Sequence, residues 1–536
     1  GIIEGIMITY TQLKEKLLGC WNGKNIGGAL GAPFEAQRGV FDITYYTKET
    51  LENPPPNDDL DLQLVWLNAV EKFGKFVNSE ILGEYWLTYI IPDWVEYGSG
   101  KANLRSGLLP PLSGYMDNAY RNSCGAFIRS EIWACLAPGH PEIATVYAYR
   151  DAVVDHADEG LYGEIFLAAV QSAAFFESDV NVLLDIGLSY IPKDCLIAKT
   201  VALIRKLHKS GVSWQEARES LMHEIPGNFG IQYACRKDVD SNYPLAEPGM
   251  DAPNNIGIML IGWLYGNNDF GKSICIAVGC GEDADCSAAS LGALLGIING
   301  NDYIPKEWAE PINGKITTVC INILDMLIIP KTVDELVQRI LNVIPSFINH
   351  HNYHSEPLDL SYPDDKFCIY AKGEQFEDNS LTGKIDLFRE DDVTGIRQLI
   401  HLEGELYPRI NELVKAGPFT VVKEFPTFNA FVDYGGVPEI VENETKHVKL
   451  TLYGYKISRR QRRFGITVYG SDGVEFPAGR FRSCILQTKY KDQATIEFDI
   501  AVSELKSDHI DVLVDIAADG RHTDEIIKLR FFAKNM

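Results

Sequence analysis

Between about Thr11 and Phe347 the apolar residues recur at helical spacing, whereas from His447 onward they alternate every second residue; two periods confined to separate stretches point to two domains of different class. Leu60, Leu64 and Leu67 share one face, and Ile165, Ala168 and Ala169 share another. The stretch from Val319 to Ile329 is apolar except at Asn322 and Asp325 and extends the same pattern. Turn signals cut it into helices at Asn53-Pro54-Pro55-Pro56-Asn57, Leu109-Pro110-Pro111, Ala137-Pro138-Gly139-His140-Pro141 and Ile225-Pro226-Gly227-Asn228. The first part is therefore expected to be an all-α domain over residues 11–348. A polar connector with several His and Pro follows over 349–390, from Asn349 through Lys384. Residues 391–536 open with a helical piece near Asp391 to Val414. They continue as short alternating strands, as in His447 to Tyr453, Ile466 to Tyr469 and Ile510 to Ile516. Turns at Ser471-Asp472-Gly473 and Ala518-Asp519-Gly520 predict a smaller C-terminal antiparallel β-sandwich.

At 536 residues the chain exceeds what one core usually organises, and its 46% hydrophobic content suffices for two. A net charge of −25 excludes a nucleic-acid backbone or an anionic membrane as a general partner. No run approaches the ~20 apolar residues that span a bilayer, and no basic-then-apolar leader opens the chain, so a cytoplasmic location is expected. Eleven cysteines scattered through apolar contexts agree with reduced, buried thiols, and the run Cys275, Cys280, Cys286 lacks zinc-ligand spacing. Gly1 to Ile6 carry no fold signal and are set aside.

Two acidic clusters lie more than two hundred residues apart: Asn57-Asp58-Asp59-Leu60-Asp61 and Glu282-Asp283-Ala284-Asp285-Cys286. Each runs into a helical segment. One Asp suffices to cap a helix, and further carboxylates repel it, so clusters of this density need a counter-charge. Read together they form one metal site, and hard oxygen donors favour Mg²⁺ or Mn²⁺ over zinc. After Asp285, residues Ala288, Gly292 and Gly296 place small side chains on one face, where another helix backbone can approach closely.

Three more segments complete the constellation. The first runs from Gly19 through Gly23, Gly27, Gly28, Gly31 and Pro33 to Glu35; the second is Asn122-Ser123-Cys124-Gly125-Ala126-Phe127-Ile128-Arg129; the third is Val154-Asp155-His156-Ala157-Asp158-Glu159. Taken in order with the acidic clusters and with Ile304-Pro305-Lys306-Glu307-Trp308, they resemble the ADP-ribosylglycohydrolase family over about Leu13 to Trp308.

The resemblance implies an all-α catalytic domain with two divalent cations, magnesium or manganese, held by Asp58, Asp59, Asp283 and Asp285. Asn57 stands at a metal-ligand position where members carry Thr or Ser, and its amide oxygen can coordinate; Cys286 stands at the metal-ligand position where they carry Thr, and Gly28 where many carry Asp. A neutral thiol is a poor ligand for a hard cation. The implied reaction is hydrolysis at C1 of a ribose whose hydroxyls rest on the metals. Glu35 serves as acid/base and Asp59 as a second catalytic carboxylate. His156 matches the His of a Ser-His pair, with Asp155 in place of Ser. Ser123, Cys124 and Gly125 offer backbone N–H groups for an anion nest. Arg129 would either grip a diphosphate or pair with a core carboxylate such as Glu131 or Glu164.

The expected substrate is an ADP-ribosylated protein or small molecule. The alternatives are hydrolysis of another N- or O-riboside on the same fold and a module that binds ADP-ribose without turnover. Retention of Glu35 argues against the last. Two other features are given no role in chemistry. His350, His351 and His354 have metal-like spacing without acidic partners, and Arg459-Arg460-Gln461-Arg462-Arg463 suits a solvated strand edge or turn.

Overall fold

A computed structural model describes residues 6–225, 251–322, 327–349, 368–371, 419–424, 428–453, 461–487, 491, 493–518 and 525–534. They fall into two compact units. The first takes Gly1–Leu82, Tyr89–Lys101 and Pro110–Arg397, and the second takes Gly83–Thr88, Ala102–Leu109 and Gln398–Met536. The first is helical among its described residues apart from a two-stranded ribbon. In that ribbon β1 (Ile6–Thr9) pairs antiparallel with β2 (Cys368–Ala371), so Ile6, set aside at the start, and residues assigned to the connector take part in strand pairing.

At the centre of the helical unit, the Tyr10–Gly31 and Ala284–Asn299 helices run antiparallel with their backbones in contact. The first begins on a capping box, Thr9 with Gln12. Its glycines at 19, 23, 27 and 31 fall on one face and meet Gly296, Gly292, Ala288 and Ala284 in turn. A Cβ on Gly23 would lie 2.1 Å from the Gly292 carbonyl oxygen, and one on Gly27 would lie 2.1 Å from that of Ala288. Each glycine costs a helix about 1 kcal/mol relative to Ala. Backbone-to-backbone packing offsets that cost through dispersion and Cα–H···O contacts. Lys16 Nζ fixes the far end by donating to the carbonyls of Ile297 and Ile298 at 2.9 and 3.0 Å, where the helix macrodipole is negative.

Around this pair, the Asp158–Ala174 and Ala252–Tyr265 helices are buried along almost their whole length. The helix Asp58–Phe73 begins at Asn57, whose side-chain oxygen accepts from the Asp59 N–H at 3.1 Å. The apolar stretch from Val319 does not continue the helical pattern: residues 319–322 and 327–330 are non-helical. Asp61 accounts for part of this, because its Oδ2 accepts the N–H groups of Val319 and Cys320 at 2.7 and 2.6 Å, committing that backbone to a loop. No helix among the described residues is long and apolar enough to cross a membrane.

The second unit contains two five-stranded sheets. One has the order β3 (Thr420–Glu424), β4 (Asn429–Asp433), β6 (Thr445–Tyr453), β10 (Gln493–Val502), β8 (Val474–Glu475). The other has β5 (Glu439–Ile440), β12 (Glu525–Ala533), β11 (His509–Ala518), β7 (Arg462–Gly470), β9 (Phe481–Leu486). All pairings are antiparallel except the short β12–β5 contact. Ile510, Val512, Val514 and Ile516 point inward from β11 to a shared core with Val448, Leu450 and Leu452 of β6, as the two-residue alternation requires. The basic run departs from expectation. Arg462 is buried in β7 and its guanidinium pairs with Glu84, so it is not a solvated turn. Arg459 and Arg460, the three connector histidines, the rest of the polar connector and the helical piece near 391–414 lie outside the described residues.

Gly23→Ala must push the helix pair apart, whereas Gly163→Ala places its Cβ at an ordinary 3.4 Å contact. Urea unfolding should show the first destabilised by about 2 kcal/mol or more and the second changed little. Equal effects would contradict the packing.

Candidate metal centre

The antiparallel pair carries the start of the Ala284–Asn299 helix to the end of the Tyr10–Gly31 helix, where a short 3₁₀ turn, Ala32–Phe34, leads into Glu35. Ligand atoms of Glu35, Asp283 and Asp285 come within 4.8 Å of one another there. Those of Asp59, Asp285 and Cys286 do the same, as do those of Cys124, Asp283 and Cys286. Asp58 faces Asp283 closely enough to raise its own carboxyl and that of Glu35. The two acidic clusters therefore meet.

Not every acid in them does. Asp61 turns away to hold residues 319 and 320, and buried Glu282 pairs with Arg38 at 2.6 Å. Both were grouped with the metal site on sequence grounds, and both serve to anchor neighbouring backbone instead.

The electrostatics of the remaining group are unfavourable without a counter-ion. Burial raises the carboxyls of Asp58, Asp59 and Asp285, and mutual repulsion adds to it; Asp283 acts on all three. Glu35 sits exposed at the mouth and is pushed up to about 7 by desolvation against the cluster, then by Asp283 and Asp58. Lys24, fully buried, places positive charge near Asp59, but its ammonium is already paired with Glu131 at 2.6 Å. Asp59 Oδ2, Asp283 Oδ1 and Asp285 Oδ1 are buried, and among the described residues no hydrogen-bond donor reaches them. Buried carboxylate oxygens normally find donors, so three orphaned ones converging at one place fit a divalent cation.

The supporting shell is largely made of residues that the sequence did not single out. Asn255 Oδ1 accepts from the Asp283 N–H at 3.1 Å. Gln63 ties the Asp59 carbonyl to Ile128 through its amide and accepts from the Ile132 N–H. Polar side chains within otherwise apolar helices, as at Asn254-Asn255 and Lys24, were the available signal. Asn57 Nδ2 points to the Lys24 carbonyl and Asn25 Oδ1, at 3.4 and 3.5 Å. A Cβ on Gly28 would lie 2.6 Å from it, so the Asn57 amide fills the space that a side chain at 28 would need. The two departures at 28 and 57 thus fit one another.

The remaining candidates form a buried network. Arg129 is 1% exposed, with Nε on Asp151 Oδ1 at 2.8 Å and its other nitrogens on Asp155. Asp151 and Asp155 both take its guanidinium, and Glu164 adds negative charge beside it. Asp155 Oδ1 also lies 2.9 Å from His156 Nδ1, while Nε2 of that ring meets Ser123 Oγ at 3.0 Å. Both His156 and Arg129 are enclosed, which suits fixing the Ser123–Gly125 segment better than touching a ligand. The anion nest expected there faces a carboxylate: Glu96 Oε1 lies where a Cβ on Gly125 would be, and the Ser123 N–H donates to Tyr120. Cys124 Sγ donates to Asp283 Oδ2 at 2.7 Å.

The family model described as ADP-ribosylglycohydrolase matches residues 9–344, well over half the chain. The chain belongs to the ADP-ribosylglycohydrolase family. Among solved structures, one titled "ADP-ribosylglycohydrolase-related protein complex" is 18% identical, with 63% of this chain and 99% of that chain covered at a TM-score of 0.41. Another, the Pseudomonas fluorescens alkylpurine DNA glycosylase AlkC bound to DNA containing an abasic site analog, is 10% identical over 89% and 99%, at 0.12. Neither likeness is close enough to carry an argument. No curated protein matches. Family membership makes the chain glycohydrolase-like and gives its acidic and cysteine cluster a context as a candidate metal centre.

Glu35, Asp61 and Asp251 are each raised to about 7 from ordinary values of 4.5, 3.8 and 3.8, with burial or desolvation the first cause. The folded chain then binds more protons than the unfolded chain between pH ~4 and ~7, so stability falls as pH rises through that window. Calorimetry of metal-free protein should show the melting temperature declining from pH 5.5 to 7, more steeply than with saturating Mn²⁺. A rise over this range would contradict the electrostatics.

Proposed function

We propose that this chain is a metal-dependent hydrolase that cleaves the C1 linkage of an ADP-ribosyl group carried by a protein or small molecule. Asp58, Asp59, Asp283 and Asp285 would hold two divalent cations, magnesium or manganese. The observation that carries this reading is the meeting of Glu35 with Asp283 and Asp285, each of which has a buried oxygen that no donor among the described residues reaches, in a member of this family. Cations bound there supply positive charge that ribose hydroxyls and a water can share.

The chain's own groups supply the rest. Glu35 lies at the open side of the cluster, and a carboxyl poised near neutrality can take a proton from an attacking water or return one to the leaving atom. Nearby carboxylates stabilise positive charge developing on the sugar ring. Asn57 holds the first turn of the Asp58–Phe73 helix so that Asp58 and Asp59 present together. The strongly negative chain suits a small anionic ligand only where cations offset the field locally, which again directs it to this cluster.

Metal-dependent release of free ADP-ribose from a modified protein or small acceptor supports this substrate. Turnover of other ribosides alone would move the assignment to that class, and binding without turnover at saturating Mn²⁺ would refute hydrolysis. Paired variants separate the roles. Asp285→Ala should lose Mn²⁺ binding and activity while keeping its circular dichroism; Glu35→Gln should bind Mn²⁺ and ADP-ribose but turn over about 10²-fold more slowly. Unchanged Mn²⁺ affinity in the first, or an unchanged rate in the second, would remove that residue from its role.

A further inference from the structure

The Ala284–Asn299 helix starts at the acidic cluster, and a second cavity opens at its other end, about 20 Å away along the axis. Its volume is about 1020 Å³. The walls come from the Val180–Ser189 and Leu196–Ser210 helices, the end of the Ala252–Tyr265 helix and the turn that follows it. In a chain with 74 acidic and 49 basic residues, no described residue lining this cavity is acidic, whereas Arg205, Lys206, His208 and Lys209 all line it.

Ordinary structural causes account for part of that charge. A helix C-terminus attracts cations, but only over its last turn, which here holds His208 and Lys209. Arg205 is committed to Asp185 Oδ1 at 2.7 Å and to Asn181. Lys206 has neither explanation: it precedes the last turn, and among the described residues no acid pairs with it or with Lys209. The two lysines stand three apart on the helix, where like charges repel, so the cavity keeps uncompensated positive charge. The facing wall is fixed in advance. Asn268 and Asn299 exchange side-chain hydrogen bonds at 3.2 and 3.0 Å, and Tyr303 Oη donates to the Asn268 carbonyl at 2.6 Å. Trp263, 4% exposed, adds an aromatic surface to the lining.

We propose that this cavity binds a phosphate-bearing small molecule of about nucleotide size, with its phosphate held by Lys206 and Lys209 and its organic part against Trp263 and the asparagine amides. Two ammonium groups on one helix face suit a multiply charged anion with several acceptor oxygens. The volume far exceeds what an inorganic ion needs and matches a small-molecule pocket. An extended polyanion is disfavoured, because beyond this cavity it would meet the field of a chain carrying −25.

Calorimetric titration of the full-length chain tests this. Metal is first removed with a chelator, so that the carboxylate cluster repels anions, and ADP, inorganic phosphate and adenosine are added separately at two salt concentrations. The expected result is one ADP per chain with a dissociation constant below about 1 mM, weakened by salt, with phosphate competing more weakly and adenosine not binding. The double variant Lys206→Glu/Lys209→Glu should lose at least ~10-fold in ADP affinity, and Lys206→Gln/Lys209→Gln should lose less. Both side chains are exposed, so the melting temperature and Mn²⁺ binding should be retained in each variant. Unchanged ADP affinity in the Glu double variant, adenosine binding as tightly as ADP, or no binding of ADP overturns the proposal. Phosphate binding at least as tightly as ADP overturns the nucleotide-sized ligand, and polyglutamate displacing ADP with higher affinity overturns it in favour of an acidic protein.

Discussion

Backbone contact between two glycine-bearing helices sets the geometry on which the rest depends. With no side chains between them, the Tyr10–Gly31 and Ala284–Asn299 helices have little freedom to slide, because Gly19, Gly23, Gly27 and Gly31 each meet a defined partner. That register brings Asp283 and Asp285 to Glu35 and, through the Asp58–Phe73 helix, to Asp59. A ligand cluster placed this way is rigid because it sits on helix ends, not on loops.

The cluster itself is a source of instability that the fold tolerates. Buried carboxyls raise one another, and the one lysine close to Asp59 among the described residues is committed to Glu131. Such an arrangement favours whatever neutralises it, protons at low pH and cations near neutrality. The same logic explains the division of labour among the acids. Asp61, Glu282 and Asp155 each engage N–H donors or a guanidinium and serve structure, whereas Asp59 Oδ2, Asp283 Oδ1 and Asp285 Oδ1, on residues whose ligand atoms converge, meet no donor among the described residues.

Much of this was legible in the sequence. The change of hydrophobic period identified the helical part and the paired sheets, carboxylates too dense for capping marked the two acidic clusters, and the family resemblance singled out Asp58, Asp59, Asp283 and Asp285 within them. Which small-residue stripe faces which was not legible, since pairing is a tertiary choice between two compatible faces. Nor was the fate of individual polar side chains. Arg129 and His156 look like ligand contacts in a motif, yet their partners Asp151, Asp155 and Ser123 are set by how separate segments pack. Residues 319–322 read as helix by composition and are loop, with a distant carboxylate, Asp61, taking the N–H groups of Val319 and Cys320. Arg462 shows the same limit in the second unit, where a charge in a basic run is buried against Glu84.

The account stands or falls on cations between the two acidic clusters. Diffraction from crystals soaked in Mn²⁺, recorded to exploit manganese anomalous scattering, tests this directly. The prediction is anomalous density bridging Asp58 and Asp59 to Asp283 and Asp285 beside Glu35. Well-ordered crystals in saturating Mn²⁺ with no anomalous peak among these carboxylates would contradict it.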